Sequence, residues 1–195
     1  MVRKGCGRYP QEESMIIGVT GTNGAGKGAV VEYLVQKGFT HYWVRDFLVA
    51  EIIKRGMKVD RSAMRDVAND LRFKNGPSYV VETLYAQAAK KGGKGVVESI
   101  RVVGEANFLK EHSAPLIAVD AHRHTRYERI VRRGSHTDSV DFDTWVKEEE
   151  REWHNEAEHD MNVPAVMKMA DYTLHNDGTL EELHKQIDDV LVKLK

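Results

Sequence analysis

Cysteine is almost missing from this chain: Cys6 is the single one among 195 residues. One thiol closes no internal disulfide framework and suits a reducing compartment, so a cytoplasmic location is expected. Long apolar runs are missing too. No stretch approaches the roughly 18 to 20 residues that cross a bilayer, and the N-terminus lacks the apolar core of a secretory signal. No membrane partner is therefore expected. Net charge is nearly absent, at −1. Nothing draws the whole molecule toward nucleic acid, so no stable nucleic-acid partner is expected and any basic site has to be local. Repeats and low-complexity tracts are absent as well. What remains, 41% hydrophobic and 30% charged residues, suffices at this length for one full-sized core. Residues 1–14 are polar, punctuated by Gly and Pro, and read as a flexible leader, with a single folded domain over 15–195.

The most informative stretch follows the apolar run Met15-Ile16-Ile17-Gly18-Val19. It reads Gly21-Thr22-Asn23-Gly24-Ala25-Gly26-Lys27-Gly28, with a helix-forming run from Ala29. A strand, a glycine-rich turn and a helix make a phosphate-binding loop. Glycines let the backbone turn tightly enough for several N–H groups to converge on one anion. The positive end of the next helix points the same way, and Lys27 adds a full charge. The spacing GxxxxGK is met, but neither Gly28 nor Ala29 carries the hydroxyl that usually follows the lysine.

Further along, strand and helix signals alternate. Residues 39–44 read as a strand, and Phe47, Leu48, Ile52 and Ile53 have helical spacing. Asp60 is a plausible N-cap, Pro77 opens a further helix, and 95–99 is a short buried strand. Residues 115–120 form a fourth strand and 171–175 the last one. Thr179 and Glu182 make a capping box for the final helix. Short, continuously apolar strands between helices imply an α/β fold whose parallel sheet is covered on both faces.

Ligand groups in such sheets sit at the carboxyl ends of strands. Glu98 ends the third strand and is the candidate metal ligand, for Mg²⁺. Asp46, after the second strand, reads equally as a base or metal ligand and as the N-cap of the helix starting at Phe47. Arg126, Arg129 and Arg133 recur at spacings of three and four, so a helix gathers them on one face. There they fit phosphate as guanidinium forks, or pair with the acidic helix expected at about 144–160. Gly134 and the polar loop after it favour a mobile lid. Arg101, three residues beyond Glu98, is a further phosphate ligand candidate. The spacing of His154 and His159 does not fit helical zinc ligands. Trp43, Trp145 and Trp153 read as packing residues.

From residue 15 onward the chain resembles nucleotide kinases of the P-loop superfamily. GTNGAGKG is similar to the adenylate-kinase form of the loop, with Gly after the lysine. Arg45-Asp46-Phe47-Leu48 resembles the acceptor-side Gly-Asp-x-(Leu/Val)-Arg stretch, although Val49 stands at the arginine position. Glu98-Ser99-Ile100-Arg101 resembles an Asp-Gly-(Ile/Phe)-Arg segment. Residues 125–134 are similar to the arginine segment before the lid. Residues 170–179 resemble the end of dephospho-CoA kinases and of an archaeal kinase-like family, in which the Asn-x-Gly turn lies near the donor adenine. The resemblance implies a three-layer fold with a five-stranded parallel sheet, an acceptor segment at about 46–92 and a lid at about 134–160. It implies ATP and Mg²⁺ as cofactors, donor binding by Gly21 through Ala29 with Asn176 and Gly178, and catalytic roles for Lys27, Asp46, Arg101, Arg126, Arg129 and Arg133. The expected activity is transfer of the γ-phosphoryl of ATP to a nucleoside monophosphate or related nucleotide, by a monomer or homodimer. Dephospho-CoA kinase, and a nucleotide-binding switch or ATPase with no small acceptor, are the alternatives.

Overall fold

The computed structural model describes residues 15–134, 141–151, 153 and 160–194. The expected leader with Cys6, and the parts of the expected lid at 135–140, 152 and 154–159, lie outside the described residues. The strands are β1 (Met15–Gly21), β2 (Thr40–Tyr42), β3 (Lys94–Ile100), β4 (Leu116–Asp120) and β5 (Tyr172–His175). They form one five-stranded sheet in the order β2-β3-β1-β4-β5, and every neighbouring pair is parallel. The helices between them are α1 (Lys27–Gln36), α2 (Val44–Lys54), α3 (Arg61–Asn75), α4 (Tyr79–Lys91) and α5 (Val103–Glu111). After β4 come α6 (Arg123–Arg133), α7 (Phe142–Arg151), α8 (Val163–Lys168) and α9 (Leu180–Lys193).

Period-two alternation along the central strands divides the core into two clusters, one on each face of the sheet. Ile17 and Val19 turn toward α1 and α9, together with Val96, Ile117 and Val119. Ile16, Val97, Ile100 and Leu116 turn the other way, toward α2 through α5 and α8. At Gly18 an added Cβ would collide with the Leu109 side chain of α5, so a missing side chain there is what lets that helix approach the sheet. The three-layer α/β fold read from the sequence is the one observed.

The region after β2 differs from the sequence reading. The helix begins at Val44 rather than Phe47, its N-cap is Trp43, and Asp46 sits inside the first turn. Asp46 is therefore not the N-cap. The reason is burial: Val44, Leu48 and Ile52 form one stripe at helical spacing and all lie in the core. That stripe draws the helix start forward into a segment whose composition also suits a strand.

β1 and β3 run in register up to Val19 and Glu98, then shift. The extra residue is Ser99, held at φ 64°, a left-handed conformation that a residue with a Cβ rarely adopts. Thr20 Oγ1 donates to the Ile100 carbonyl at 2.7 Å and locks the irregularity. Such bulges re-aim side chains next to sites, and here the neighbour is Glu98.

One buried ion pair ties the helical segment to this strand end. Glu105 Oε1 accepts from Arg72 Nε and NH2 of α3 at 3.0 and 2.7 Å. Its Oε2 accepts from the backbone N–H groups of Arg101 and Val102 at 3.0 and 3.2 Å. The side chains of Arg72 and Glu105 are 4% and 1% exposed. Removing one partner leaves the other charged and unpaired in the core, at a cost of about 3–5 kcal/mol. Arg72→Ala is thus expected to lower the unfolding free energy by about that amount in a urea titration. A loss under about 0.5 kcal/mol would show that the pair is not uncompensated by the substitution.

Candidate active site

The phosphate-binding loop lies between β1 and α1, at the carboxyl edge of the sheet. Gly26 is the N-cap of α1 in a left-handed conformation, and no side chain caps the helix. The first-turn N–H groups therefore face the loop without a side-chain acceptor, the condition for holding an anion. The glycines here answer to space as well as to torsion. A Cβ at Gly21 would overlap the Val119 carbonyl, and one at Gly24 would lie 2.6 Å from the Arg126 carbonyl. One at Gly26 would overlap the Asn176 side chain. Gly28 by contrast has nothing within 4 Å of where its Cβ would stand.

The loop's carbonyls are held from outside. Lys27 Nζ donates to the Gly21 and Thr22 carbonyls, both at 2.9 Å. Arg126 NH1 donates to the Asn23 carbonyl at 3.1 Å. Asn176, 5% exposed, donates Nδ2–H to the Ala25 carbonyl at 2.8 Å. The resemblance put Asn176 near the donor base; in the structure its amide braces the phosphate loop. Gly178 serves the adjacent capping box, in which Thr179 N–H donates to Glu182 Oε2 at 2.8 Å. A Cβ at Gly178 would overlap that carboxylate.

Asp120, at the carboxyl end of β4, is a site residue that the sequence reading passed over. Its Oδ1 accepts from Thr22 Oγ1 at 3.1 Å and from Ala121 N–H at 2.9 Å. The signal was available: four apolar strand residues, Leu116 to Val119, ending in an aspartate directly beside the loop strand. Glu98, on the other neighbour of β1, has a side chain 17% exposed. Carboxylates thus flank the loop from both sides. Among the described residues no group of three or more His, Cys, Asp or Glu forms a protein-only metal cluster. That suits Mg²⁺, which takes one or two carboxylates plus substrate phosphates and keeps several waters. Glu98 and Asp120 are the residues able to hold it.

The arginines of α6 divide by environment. Arg126 is 3% exposed, and each of its three nitrogens is engaged. Besides Asn23, it donates Nε–H to the Ala121 carbonyl at 3.1 Å, clasps both Glu149 carboxylate oxygens and lies over the Trp145 ring at 5.1 Å. The pairing with the acidic helix, one of the two readings of the sequence, is what Arg126 adopts; Arg123 approaches Glu150 at 3.7 Å in the same manner. Arg129 differs, because its NH1 is buried with no hydrogen-bond partner among the described residues. Arg133 is exposed at the end of α6. Arg101 is partly buried at the end of β3, with NH1 3.9 Å from Met161 Sδ.

On the far side of β3 a second set of groups meets Glu98. His41 of β2 pairs with Val96 in the sheet, so its side chain shares a face with Glu98 two residues on. His41 Nε2 lies 3.6 Å from Glu98 Oε1. The Trp43 ring lies against the His41 ring, centroids 3.8 Å apart and planes tilted by 34°. Arg45 and Asp46 are exposed in the first turn of α2 beside them.

A model of the AAA domain family matches residues 17–162. The chain is similar to the UPF0200 protein TK1334 of Thermococcus kodakarensis, 31% identical over 191 residues, which span 92% of this chain and 100% of that one. In structure it is similar to TT1252 from Thermus thermophilus, with a TM-score of 0.60 and 24% identity over 94% of this chain and 100% of the other. It is also similar to shikimate kinase from Acinetobacter baumannii in complex with shikimate, with a TM-score of 0.54 and 15% identity over 94% and 96%. At those identities the structural likeness shows the fold, a P-loop kinase-type α/β domain. No helix among the described residues is long and apolar enough to cross a membrane.

The bracing of the loop has a measurable consequence. Asn176→Ala leaves the buried Ala25 carbonyl without its donor, a loss of about 1–3 kcal/mol. Chemical unfolding should register it, and isothermal titration should show weakened ATP binding. An unchanged midpoint together with unchanged ATP affinity would sink the bracing role.

Proposed function

The chain belongs to the AAA domain family and has a P-loop nucleotide-kinase-like fold, and from that premise we propose that it is an ATP-dependent phosphotransferase. Its donor is ATP, and its acceptor is a nucleoside monophosphate or a related small nucleotide. The observation that carries this reading is the joint geometry at the sheet edge. A glycine loop with an uncapped helix start and Lys27 follows a strand flanked by β3, which carries Glu98 two residues before its end at Ile100 rather than at the end as the sequence suggested, and by β4, which ends in Asp120.

The chemistry then divides among the chain's own groups. Backbone N–H groups from Gly21 through Ala29 and the Lys27 ammonium orient the donor phosphates, which turns an encounter into an aligned displacement. The bond from the γ-phosphorus to the bridging oxygen breaks as an acceptor oxygen bonds to the same phosphorus, and ADP leaves. Charge spreads over the transferring oxygens, and Arg129, with a buried NH1 that has no partner among the described residues, is the guanidinium suited to meet it. Arg101 and Arg133 flank the acceptor and lid sides. Arg126 acts one step back, by holding the loop and α7 together. Glu98 and Asp120 are the residues that would hold Mg²⁺, which would supply neutralisation of the phosphate charge when bound with the nucleotide. The acceptor segment at about 46–92 and the lid at about 134–160 exclude water, since an open site would hydrolyse ATP instead.

A hydroxyl acceptor, as in dephospho-CoA kinase, is the second reading. It is favoured by Asp46, an exposed carboxylate at the first turn of α2 that is free to take the proton of an attacking hydroxyl.

The deciding experiment measures ADP formation with ATP and Mg²⁺ across AMP, CMP, dCMP, UMP, GMP and dephospho-CoA. Turnover stimulated by one of the monophosphates is expected. Stimulation by dephospho-CoA alone would select the hydroxyl reading, and acceptor-independent hydrolysis would overturn both in favour of a switch or ATPase. Lys27→Ala and Arg129→Ala are each expected to lower turnover at least about 100-fold while the fold, read by circular dichroism, is retained. Full activity in both would refute the assignment. Glu98→Gln is expected to weaken Mg²⁺-dependent turnover about 10- to 100-fold; an unchanged Mg²⁺ dependence would remove Glu98 from the site.

A further inference from the structure

We propose that Trp43, lying against His41, is the platform on which a planar aromatic ring of the acceptor lies, so that the second substrate is a nucleobase-bearing molecule and not a bare sugar, sugar phosphate or cyclohexene acid. The inference rests on the kinase reading above for the existence of a second substrate. The identity of that substrate's ring comes from this wall of the site alone.

Trp43 is an unusual residue for its place. It is 49% exposed and stands as the N-cap of α2, where a side chain that accepts a hydrogen bond is the common choice and where it makes no capping bond. Its exposure is not looseness. Val44 and Leu48 anchor the start of α2 in the core, and the Trp43 carbonyl accepts the Phe47 N–H at 3.1 Å. One face of the indole is covered by His41 at 3.8 Å, with an angle of 34° between the rings. An aromatic ring held in place with much of its surface open is suited to stacking, which tolerates any base because every base has a π-face.

Its position matches that use. His41, with a side chain 7% exposed, connects Trp43 to Glu98, 3.6 Å from His41 Nε2. That nitrogen is buried and has no hydrogen-bond partner among the described residues, a costly state for a polar group unless a ligand or a small shift of the Glu98 carboxylate completes it. Trp43, His41 and Glu98 therefore make a continuous wall running from the acceptor edge toward the reacting centre. β2 is separated from the loop strand by β3, two strand spacings of about 4.8 Å each, so Trp43, which directly follows β2, stands to the side of the phosphate loop rather than in it. Arg45 and Asp46, exposed on the next turn, supply polar groups to the ring's edge.

The test separates ring from phosphate. Intrinsic fluorescence of the full chain is titrated with AMP, CMP, UMP and GMP, and in parallel with ribose 5-phosphate and shikimate, none of which needs turnover to be read. Tryptophan quenching by at least one nucleoside monophosphate, and weak or no quenching by the two probes that lack an aromatic ring, is the expected result. Trp43→Leu should weaken nucleotide binding at least about fivefold, by titration calorimetry, and raise the acceptor KM by a similar factor. Trp43→Phe, which keeps a ring, should recover most of the loss. Ribose 5-phosphate or shikimate binding as well as the nucleotides would overturn the proposal, as would nucleotide binding unchanged in Trp43→Leu. A wild-type protein that binds nucleotides through Trp43 but transfers phosphate to none would count against the kinase reading and leave the aromatic subsite standing.

Discussion

The constraint on which the rest of the structure depends is that a loop built to hold anions through its backbone must be kept in shape by groups outside itself. Such a loop offers N–H groups inward only if its carbonyls are occupied elsewhere, because a carbonyl in the cradle repels phosphate. Here each carbonyl tie comes from a different place in the chain: Lys27 at the start of α1, Arg126 on α6 and Asn176 after β5. Thr22 is in turn held by Asp120 at the end of β4. Val119, Arg126 and Asn176 stand so close to Gly21, Gly24 and Gly26 respectively that no Cβ fits. The parallel sheet is the frame that brings these segments to one edge.

Buried charge carries this coupling outward. Arg126 joins the loop to α7 through Glu149, and Arg72 joins α3 to the end of β3 through Glu105. Buried pairs of this kind add little net stability over apolar packing, but each is intolerant of losing one partner. Their effect is to bind position to position. The first sets the loop against α7, and the second sets α3 against the end of β3 near Glu98 and Arg101. Both flanks of the loop are thus indexed to the sheet. Next to the Glu98 carboxylate stands the strained turn at Ser99, a left-handed residue.

The apportioning of arginines follows from the same geometry. Arg126 and Arg129 are one helical turn apart on α6, yet one bonds four acceptor atoms through all three of its nitrogens and lies over an aromatic face, while the other keeps a buried NH1 with no partner among the described residues. A residue with every nitrogen engaged holds a site together. One whose donor is unengaged is the better candidate to meet a ligand.

The phosphate loop, the α/β class and the alternation of strands and helices were legible in the amino-acid sequence, because they rest on local rules. Glycine spacing, apolar runs of strand length and the Thr179–Glu182 box act over a few residues and need no partner. The start of α2 was not legible, since residues 39–44 suit a strand by composition and only burial of Val44 against the distant helices makes them otherwise. Asp120 was legible in principle, as an aspartate closing an apolar strand, but its meaning depends on β4 lying beside β1, which strand order decides and sequence order does not. The division of labour between Arg126 and Arg129, the bracing role of Asn176 and the contact of Trp43 with His41 were decided by tertiary structure alone. Each depends on contacts between residues far apart in the chain, and a side chain's chemistry in a folded protein is set by what the fold brings against it.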